Sequence, residues 1–256
     1  AITVDLHDNA NLTSFYVLPE NSTLDNVLFN VSQNILAVAS SDGAALYDGD
    51  WSGTLADEGF NQGEGYWVIM SEDDQLSILG TPIDPETSYA LDAGENLIGY
   101  PLNYNTALSD ALSFQANNSL VAIFGEGVSA YNYDGAGFWI GSLQYFTPNS
   151  GYWFLSNSSL DFTYGSGDNL SRTASNDYVD VPKVPVNYDY TQSKKQSFYY
   201  IENVENIEMG DWVLAYNNDI LVGARQYHSG IIDVPVMGSD NTDFTVGYCE
   251  SGDIPD

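Results

Sequence analysis

The sequence predicts a mainly β fold with a few short helices, built as two tandem duplicated β-rich domains followed by a β-sandwich-like module. Three observations predict it. A tryptophan phrase occurs twice, as "EGYWV" at 64–68 and "SGYWF" at 150–154. Apolar runs of strand length alternate with Asp-Gly pairs that suit tight turns. Residues 196–256 carry a different set of short, aromatic strands.

The two copies align in one register. Asn11 matches Asn96 at an offset of 85, Trp51 matches Trp139 at 88, and the Gly-Tyr-Trp triplets match at 86. A drift of three residues over a whole repeat indicates small loop insertions, which duplicated domains accumulate.

Each copy predicts a strand, one short amphipathic helix and several further strands. "NLTSFYVL" and "NLIGYPL" are apolar runs of strand length, and "NILAVAS" and "SLVAIFG" are typical of buried strands. "STLDNVLFNV" and "TALSDAL" place apolar residues three and four apart after a Ser or Thr suited to an N-cap. The Asp-Gly pairs at 42–43, 48–49 and 134–135 predict turns, and the copies end in the strands "LSILG" and "LDFTY".

These patterns place the first repeat at 1–83 and the second at 84–165. Residues 166–195 are polar, contain two prolines and hold four of the five basic residues, which predicts an extended linker lying along a neighbouring surface. In the module at 196–256, Asn217 and Asn218 suit a hairpin turn. This module is short for a closed sandwich, so we expect it to be truncated or completed by another chain.

The charge balance excludes two classes of partner. Five basic residues stand against 36 acidic ones, giving a net charge of −31, and residues 1–171 hold 22 acids and no base. Such a chain repels nucleic acid and anionic membranes. No run of 18 apolar residues exists, so no membrane insertion is predicted. The acidic surface suits a salty, cation-rich medium, and simple solubility in any extracellular setting is the alternative. The single Cys249 allows no intrachain disulfide.

One stretch partly matches a calcium loop. In "DGDWSG" at 48–53, Asp48, Asp50 and Ser52 follow the opening of the loop, which makes them the candidate metal ligands. The closing acid should fall on Gly59, so an acidic turn between strands is the alternative. We predict no required cofactor, with weakly bound calcium as the candidate ion.

The chain offers little for catalysis. Its two histidines, His7 and His228, lie in different modules, and no G-x-S-x-G elbow or zinc-binding set is present. We therefore predict no catalytic residues and no enzyme activity. A carboxylate pair for glycoside hydrolysis ranks third among the functions, because 36 acids offer many pairs and no particular one.

The aromatic residues divide into two groups. Trp67 and Trp153 recur beside Gly and between apolar residues, which favours the packed core over a ligand platform. Other aromatic side chains lie near predicted turns and are the candidate ligand-binding residues for glycans or a host surface: Trp51, Tyr131, Tyr133 and Trp139.

The phrases "LHDNANLTSFYVLP", "IFGEGVSAYN", "FWIGSL" and "SGYWF", followed by "GDWVLAYNNDILVGARQYHSGIIDVPVMG", carry a resemblance. The chain resembles modules repeated in very large surface and virion proteins of marine bacteria and their tailed phages. Its last part is similar to a "GDWVGAFNGDVCVGAR" module found near secretion and sorting domains. The resemblance implies non-catalytic building blocks of fibres, filaments or adhesins, and it carries over no site residues. Members of this group continue past "SGDIP", so a fragment of a longer protein is expected.

Two functional hypotheses follow. The first is a structural assembly module of an extracellular fibre, filament or virion appendage, whose partners are copies of itself or other structural subunits joined through β-edges and the linker. The alternative is an adhesin module that binds cell-surface glycans or a host surface.

Overall fold

The structure is a computed structural model that describes residues 1–165 and 183–256. The predicted fold class is confirmed: the described chain is mainly β, with four α-helices of four to six residues. None of the helices in these ranges is long and apolar enough to cross a membrane. Of the linker predicted at 166–195, residues 166–182 lie outside the described ones.

The first repeat is a five-stranded antiparallel sheet with two further strand pairs and two helices. Its elements are β1 (Ile2–Leu6), β2 (Asn9–Ser14), β3 (Val17–Leu18), α1 (Leu24–Val27), β4 (Ile35–Ala39), β5 (Ala44–Tyr47), β6 (Trp51–Gly53), α2 (Thr54–Glu58), β7 (Gly65–Met70), β8 (Asp74–Ile78) and β9 (Thr81–Pro82). The sheet has the order β2-β7-β4-β5-β6, while β1 pairs with β8 and β3 with β9. The repeat's core brings together apolar side chains from the sheet, α1 and the β1–β8 pair.

The second repeat has the same plan. Its elements are β10 (Tyr89–Leu91), β11 (Gly94–Gly99), β12 (Thr106–Ala107), α3 (Leu108–Ala111), α4 (Phe114–Ser119), β13 (Leu120–Phe124), β14 (Ser129–Asn132), β15 (Trp139–Ile140), β16 (Tyr145–Phe146), β17 (Gly151–Ser156) and β18 (Leu160–Phe162). The sheet order is β11-β17-β13-β14-β15, and β10 pairs with β18 as β1 does with β8. Each sheet strand thus has its counterpart at the aligned position of the other repeat.

Side-chain bonds repeat along with the strands. The amide of Asn11 donates to the carbonyls of His7 and Val68 at 2.8 and 3.2 Å, and that of Asn96 donates to Asp92 and Phe154 at 2.9 and 3.3 Å. Each asparagine closes the turn before its strand and ties it to the neighbouring strand. The buried tyrosines of the repeated phrase match as well. The hydroxyl of Tyr66 accepts from the N–H of Asn61, and that of Tyr152 accepts from the N–H of Thr147.

The local predictions are confirmed for strands and turns and less complete for helices. The three Asp-Gly pairs lie in the turns β4–β5, β5–β6 and β14–β15. The first predicted helix is α1 followed by a 3₁₀ turn at Phe29–Val31, and Thr23 occupies its N-cap without a side-chain bond. α3 lies where a helix was predicted, but α2 and α4 were not predicted. α4 begins where Ser113 Oγ accepts from the N–H of Ala116 at 3.2 Å.

The two repeats contact each other through equivalent residues. The Ser14 N–H donates to the Asn149 carbonyl at 2.9 Å, and at the aligned positions the Gly99 N–H donates to the Gly63 carbonyl at 2.7 Å. The isolated bridges Thr13–Ser150 and Glu64–Ile98 are related in the same way. A contact in which each side presents the same surface is isologous. The repeats therefore form an approximately two-fold symmetric pair within one chain.

Glycines allow this close approach. A Cβ on Gly151 would lie 2.8 Å from the Thr13 carbonyl oxygen and 3.3 Å from the Cα of Gly65. A Cβ on Gly65 would lie 2.6 Å from Leu97 Cδ1. The glycine of each "GYW" phrase therefore serves the contact between the repeats.

The third module consists of β19 (Gln196–Ile201), β20 (Trp212–Asn217), β21 (Ile220–Gln226) and β22 (Ile232–Met237). β19 pairs with β22 and β20 with β21, and the apolar side chains of the two pairs enclose a small core. A hairpin turn joins β20 to β21 as predicted, but its two residues are Asn218, at a φ of 56°, and Asp219, because Asn217 is the last residue of β20. The backbone of Asp256 exchanges two hydrogen bonds with that of Tyr216, at 2.9 and 3.0 Å.

An ion pair lies between the first and second repeats. His7 Nε2 is 2.7 Å from Glu126 Oε1, and the other carboxylate oxygen of Glu126 accepts from the N–H of Leu12 at 2.7 Å. Partial burial lowers the pKa of His7, but the hydrogen bond and charge of Glu126, together with Asp8, outweigh burial and raise the pKa to about 9.

We expect a pH dependence of stability from this pair. Because the folded pKa of His7 lies above its ordinary value of 6.5, the stabilisation is fully present below about pH 6.5 and is lost as the pH rises through about 9. The His7 side chain is 41% exposed, so solvent screening limits the effect to about 1 kcal/mol or less. Urea unfolding should show a decline between these pH values that His7→Gln flattens. His228→Gln is the matched control and should keep the wild-type slope; equal slopes in wild type and His7→Gln would contradict the assignment.

Candidate functional site

A cleft of about 890 Å³ lies where the outer face of the second repeat's sheet meets the third module. We call it the aromatic cleft. Its floor comes from the two repeats and its opposite wall from the third module. Its lining includes Trp67, Glu95, Phe124, Trp153 and Leu155 on the floor, with residues 194–200, Val236, Gly238 and residues 249–253 on the wall.

The floor follows from strand alternation. Trp153 on β17 is paired with Phe124 on β13, and Leu155 is paired with Glu95 on β11. Paired residues of a sheet point to the same face, so these four side chains share the outer face. Trp67 from the first repeat lies at the deep end and is 4% exposed.

β19 crosses this face. The rings of Phe198 and Phe124 stack at 5.7 Å, and those of Tyr200 and Tyr131 lie 5.5 Å apart. Gln196 holds the start of the strand, because its side chain donates to the Gly125 carbonyl at 2.7 Å and accepts from the Gly127 N–H at 3.0 Å. Gln196, Phe198 and Tyr200, every second residue of β19, thus hold one side of the strand against the second repeat.

A buried polar network fixes the third module against the second repeat. Arg225 and Asp233 are 6% and 3% exposed, and Arg225 Nε donates to the Asp233 carbonyl at 2.9 Å. The hydroxyls of Ser129 and Ser142 donate to the Asp233 carboxylate at 2.7 and 2.6 Å. The Tyr200 hydroxyl donates to Ser129 at 2.8 Å. Burial raises the pKa of Tyr200 to about 12, with the bond to Ser129 opposing it, so the hydroxyl stays a donor at neutral pH.

The cleft is open because the two-fold relation between the repeats is broken there. On the first repeat's side the β13–β14 hairpin reaches across, and Glu126 caps the edge of β2 at Leu12. The equivalent β4–β5 hairpin bonds to itself instead, since Ser40 Oγ accepts from the N–H groups of Asp42 and Gly43 at 3.3 and 3.1 Å. Both tryptophans line the cleft, but Trp67 is buried while Trp153 is half-buried.

Two of the five basic residues lie at the cleft. Lys194 and Lys195 are exposed, and within residues 1–165 and 183–256 neither has a carboxylate within ion-pair distance. Burial raises the pKa of Asp240, but hydrogen bonds from Thr245 and Thr242 outweigh burial and lower it. The positive charge of Lys194 lies near enough to Asp240 to lower this pKa further. The acids Glu95, Glu250 and Asp253 also line the cleft, and Glu250 follows Cys249, which bridges to Gly238 next to Lys195.

The four aromatic residues predicted to bind ligand do not form one site. Trp51 packs on Tyr47 with ring centroids 4.9 Å apart, in the first repeat. Trp139 donates from Nε1 to Asn117 Oδ1 at 2.8 Å and packs on the second repeat's core. The structure brings Tyr131 and Tyr133 together in a recess of about 310 Å³, which Ile140, Tyr200, Glu202 and Ile231 complete.

The candidate calcium residues lie at the β5–β6 hairpin. Asp48 and Asp50 are exposed in the turn, where the N–H of Asp48 donates to the Asp50 carbonyl at 3.2 Å, and Ser52 belongs to β6 opposite Leu46. In the part of the chain that the structure describes, no three or more His, Cys, Asp or Glu side chains gather as a metal-binding group. Calcium at this turn stays a prediction.

Sequence reasoning missed the residues that build the cleft. Glu126, Arg225 and Asp233 join modules that lie far apart in sequence, so no local pattern connects them. A usable signal was the charge pattern: an arginine in an apolar strand and a Lys-Lys pair are conspicuous in a chain with five basic residues.

Comparison with protein-family models, curated proteins and solved structures gave no match in any of the three. Function is therefore inferred from the geometry of the chain itself.

The two tryptophans of the repeated phrase should respond differently to truncation. Trp67→Ala removes a buried ring and should cost about 3–5 kcal/mol of unfolding free energy. Trp153→Ala removes a half-buried ring and should cost about 1–2 kcal/mol. Urea unfolding of the two variants, which are matched in sequence context, measures both values. Equal costs would show that Trp153 is as much a core residue as Trp67.

Proposed function

We propose that this chain is a non-catalytic structural module of an extracellular fibre, filament or virion appendage, which joins neighbouring subunits. The observation that carries the proposal is the fixed junction between the modules. Ser14 and Gly99 bond across the two repeats, and the buried Arg225–Asp233 network bonds the third module to the second repeat.

Such junctions differ from ordinary domain contacts. Domains joined by small polar interfaces move relative to one another by default. Here buried carboxylate and guanidinium groups hold the third module, and breaking either group's bonds would leave a charge buried without its partner. A fibre has a defined shape only if the modules of each subunit keep fixed orientations relative to one another.

The surface charge supports the extracellular part of the proposal. A net charge of −31 keeps copies apart at low ionic strength, where the Debye length is about 30 Å at 0.01 M salt. At seawater-like ionic strength the screening length falls to a few ångströms, and short-range contacts between subunits can dominate.

We expect assembly that depends on both concentration and salt. Sedimentation velocity should show species larger than the monomer at high protein concentration in seawater-like salt containing calcium and magnesium. The same protein in low-salt buffer is the control and should sediment as a monomer. A compact monomer at every concentration in both buffers would count decisively against an assembly role.

A second candidate function is glycan binding at the recess. The exposed Tyr133 and the partly exposed Tyr131 offer ring faces beside Glu202, the combination of stacking surface and acceptor that sugars use.

A glycan array in calcium-containing buffer tests this alternative. We expect any bound glycan to lose at least tenfold in affinity in Tyr133→Ala, because stacking on the exposed ring is lost. Tyr47→Ala in the first repeat is the control and should bind as wild type does. The absence of any hit, or binding unaffected by Tyr133→Ala, would remove this candidate.

A further inference from the structure

β19 has a strand partner on one side only. It pairs with β22 over its whole length, from Gln196 opposite Met237 to Ile201 opposite Ile232. The Gly238 N–H donates to the Lys195 carbonyl at 2.7 Å, and bonded and non-bonded pairs alternate in an antiparallel ladder. The backbone groups of residues 196, 198 and 200 therefore point away from β22.

The position of Pro235 supports this register. Pro235 lies opposite Phe198, and proline, which has no N–H, fits a non-bonded position of the ladder. Within the described ranges, no backbone hydrogen bond reaches Phe198 or Tyr200 from any other strand or loop. An edge of N–H and C=O groups is thus open along the aromatic cleft.

Two other strand edges in the described part of the chain, those of β2 and β20, are covered. The outward N–H of Leu12 on β2 donates to the Glu126 carboxylate at 2.7 Å, and Ser14 on the same strand donates to Asn149. The outward groups of Tyr216 on β20 are paired with Asp256. By comparison, the edge of β19, which borders the aromatic cleft, has no covering partner among residues 1–165 and 183–256.

The cleft beside this edge suits the side chains of one added strand. Trp153 and Leu155 would face alternate side chains of that strand, which favours apolar residues at every second position. Lys194 and Lys195 precede β19 and lie at its beginning. An antiparallel partner would end there, so its last residues would lie beside two ammonium groups that have no carboxylate within ion-pair distance among the described residues.

We propose that the open edge of β19 takes up an extended strand from a neighbouring protein subunit. The strand runs antiparallel to β19, has apolar residues at alternate positions and carries carboxylates at its C-terminal end. As in strand addition generally, hydrogen bonds between the two main chains provide the affinity. The cleft floor at Trp153 and Leu155, together with Lys194 and Lys195, provides the selectivity. Since β19 has six residues, the inserted segment is of about that length. This proposal rests on the assembly function and identifies β19 as the contact through which subunits join, which we call the joint.

A synthetic peptide tests the joint directly. The probe is Thr-Val-Thr-Val-Thr-Val-Glu-Glu, acetylated at its N-terminus and titrated into the full chain, with amide exchange followed by NMR. We expect saturable binding and slower exchange of the Phe198 and Tyr200 amide hydrogens. Binding without protection of these two amides would overturn the proposal, since strand pairing needs both.

Backbone pairing is separated from side-chain docking by methylation. One control peptide is N-methylated at its valines and another at its threonines. Alternate amides of a strand face its partner, so one of the two peptides should lose binding and the other keep it. Equal binding by both methylated peptides contradicts strand addition.

The charge requirement is tested with single reversals. Lys194→Glu and Lys195→Glu should each weaken the acidic peptide about fivefold, and replacing its two glutamates by lysines should weaken it similarly. Lys183→Glu makes the same change away from the cleft and is the matched control. Equal losses in all three variants would assign the effect to net charge and remove the lysine pair from the site.

Two further outcomes distinguish this proposal from the function on which it rests. A chain that assembles with concentration but leaves Phe198 and Tyr200 unprotected by the peptide keeps the assembly function and loses this joint. Protection by the peptide in a chain that stays monomeric supports the joint and locates its partner on another protein. Binding of a galacturonate oligosaccharide in place of the peptide would reassign the cleft to acidic glycans.

Discussion

The rest of the structure depends on the contact between the two repeats at their glycines. Gly65 and Gly151 lie back to back, and a Cβ on Gly151 would come within 3.3 Å of Gly65 Cα. This approach lets the ends of β2 and β11 bond to the opposite repeat and aligns the outer faces of the two sheets side by side. The third module then packs on the second of these faces. Without the glycine contact, the aromatic cleft would lack Trp67 at its deep end.

Duplication alone would have produced two equal halves, and the differences between the halves create the site. Glu126 lies on a hairpin that bonds to the first repeat, whereas the counterpart hairpin bonds to its own Ser40, and Trp67 is buried while Trp153 is half-buried. β19 rests beside the uncovered tryptophan because Phe198 stacks on Phe124 and Gln196 bonds to Gly125. The copies thus share their fold, while any function of the cleft belongs to the second copy and the third module together.

Much of the fold could be predicted from the sequence because strands, Asp-Gly turns and repeated phrases are local signals. Asn11 and Asn96, which the sequence alignment of the repeats matches, make equivalent hydrogen bonds in the structure. The helices α2 and α4 were not predicted because α2 buries only Leu55 and α4 only Ala116 and Ser119, so neither segment shows large apolar residues three and four apart. The cleft could not be predicted because Glu126, Asp233 and Lys195 lie far apart in sequence and come together only when the three modules pack. The aromatic residues near turns were predicted to bind a ligand because of their residue type, yet the side chains of Trp51 and Trp139 pack within the protein.

An open strand edge is a hazard for any protein in concentrated solution, and the surroundings of β19 limit that hazard. A flat exposed edge pairs readily with a copy of itself. In the proposed strand addition, the edge lies beside the floor formed by Trp153 and Leu155, which receives the side chains of a single added strand. The net charge of −31 adds a long-range barrier between copies at low ionic strength, whereas Lys194 and Lys195 favour an acidic strand end at short range. Under the proposed strand addition, this edge selects its partner by the shape of its floor and the charge of its two lysines together.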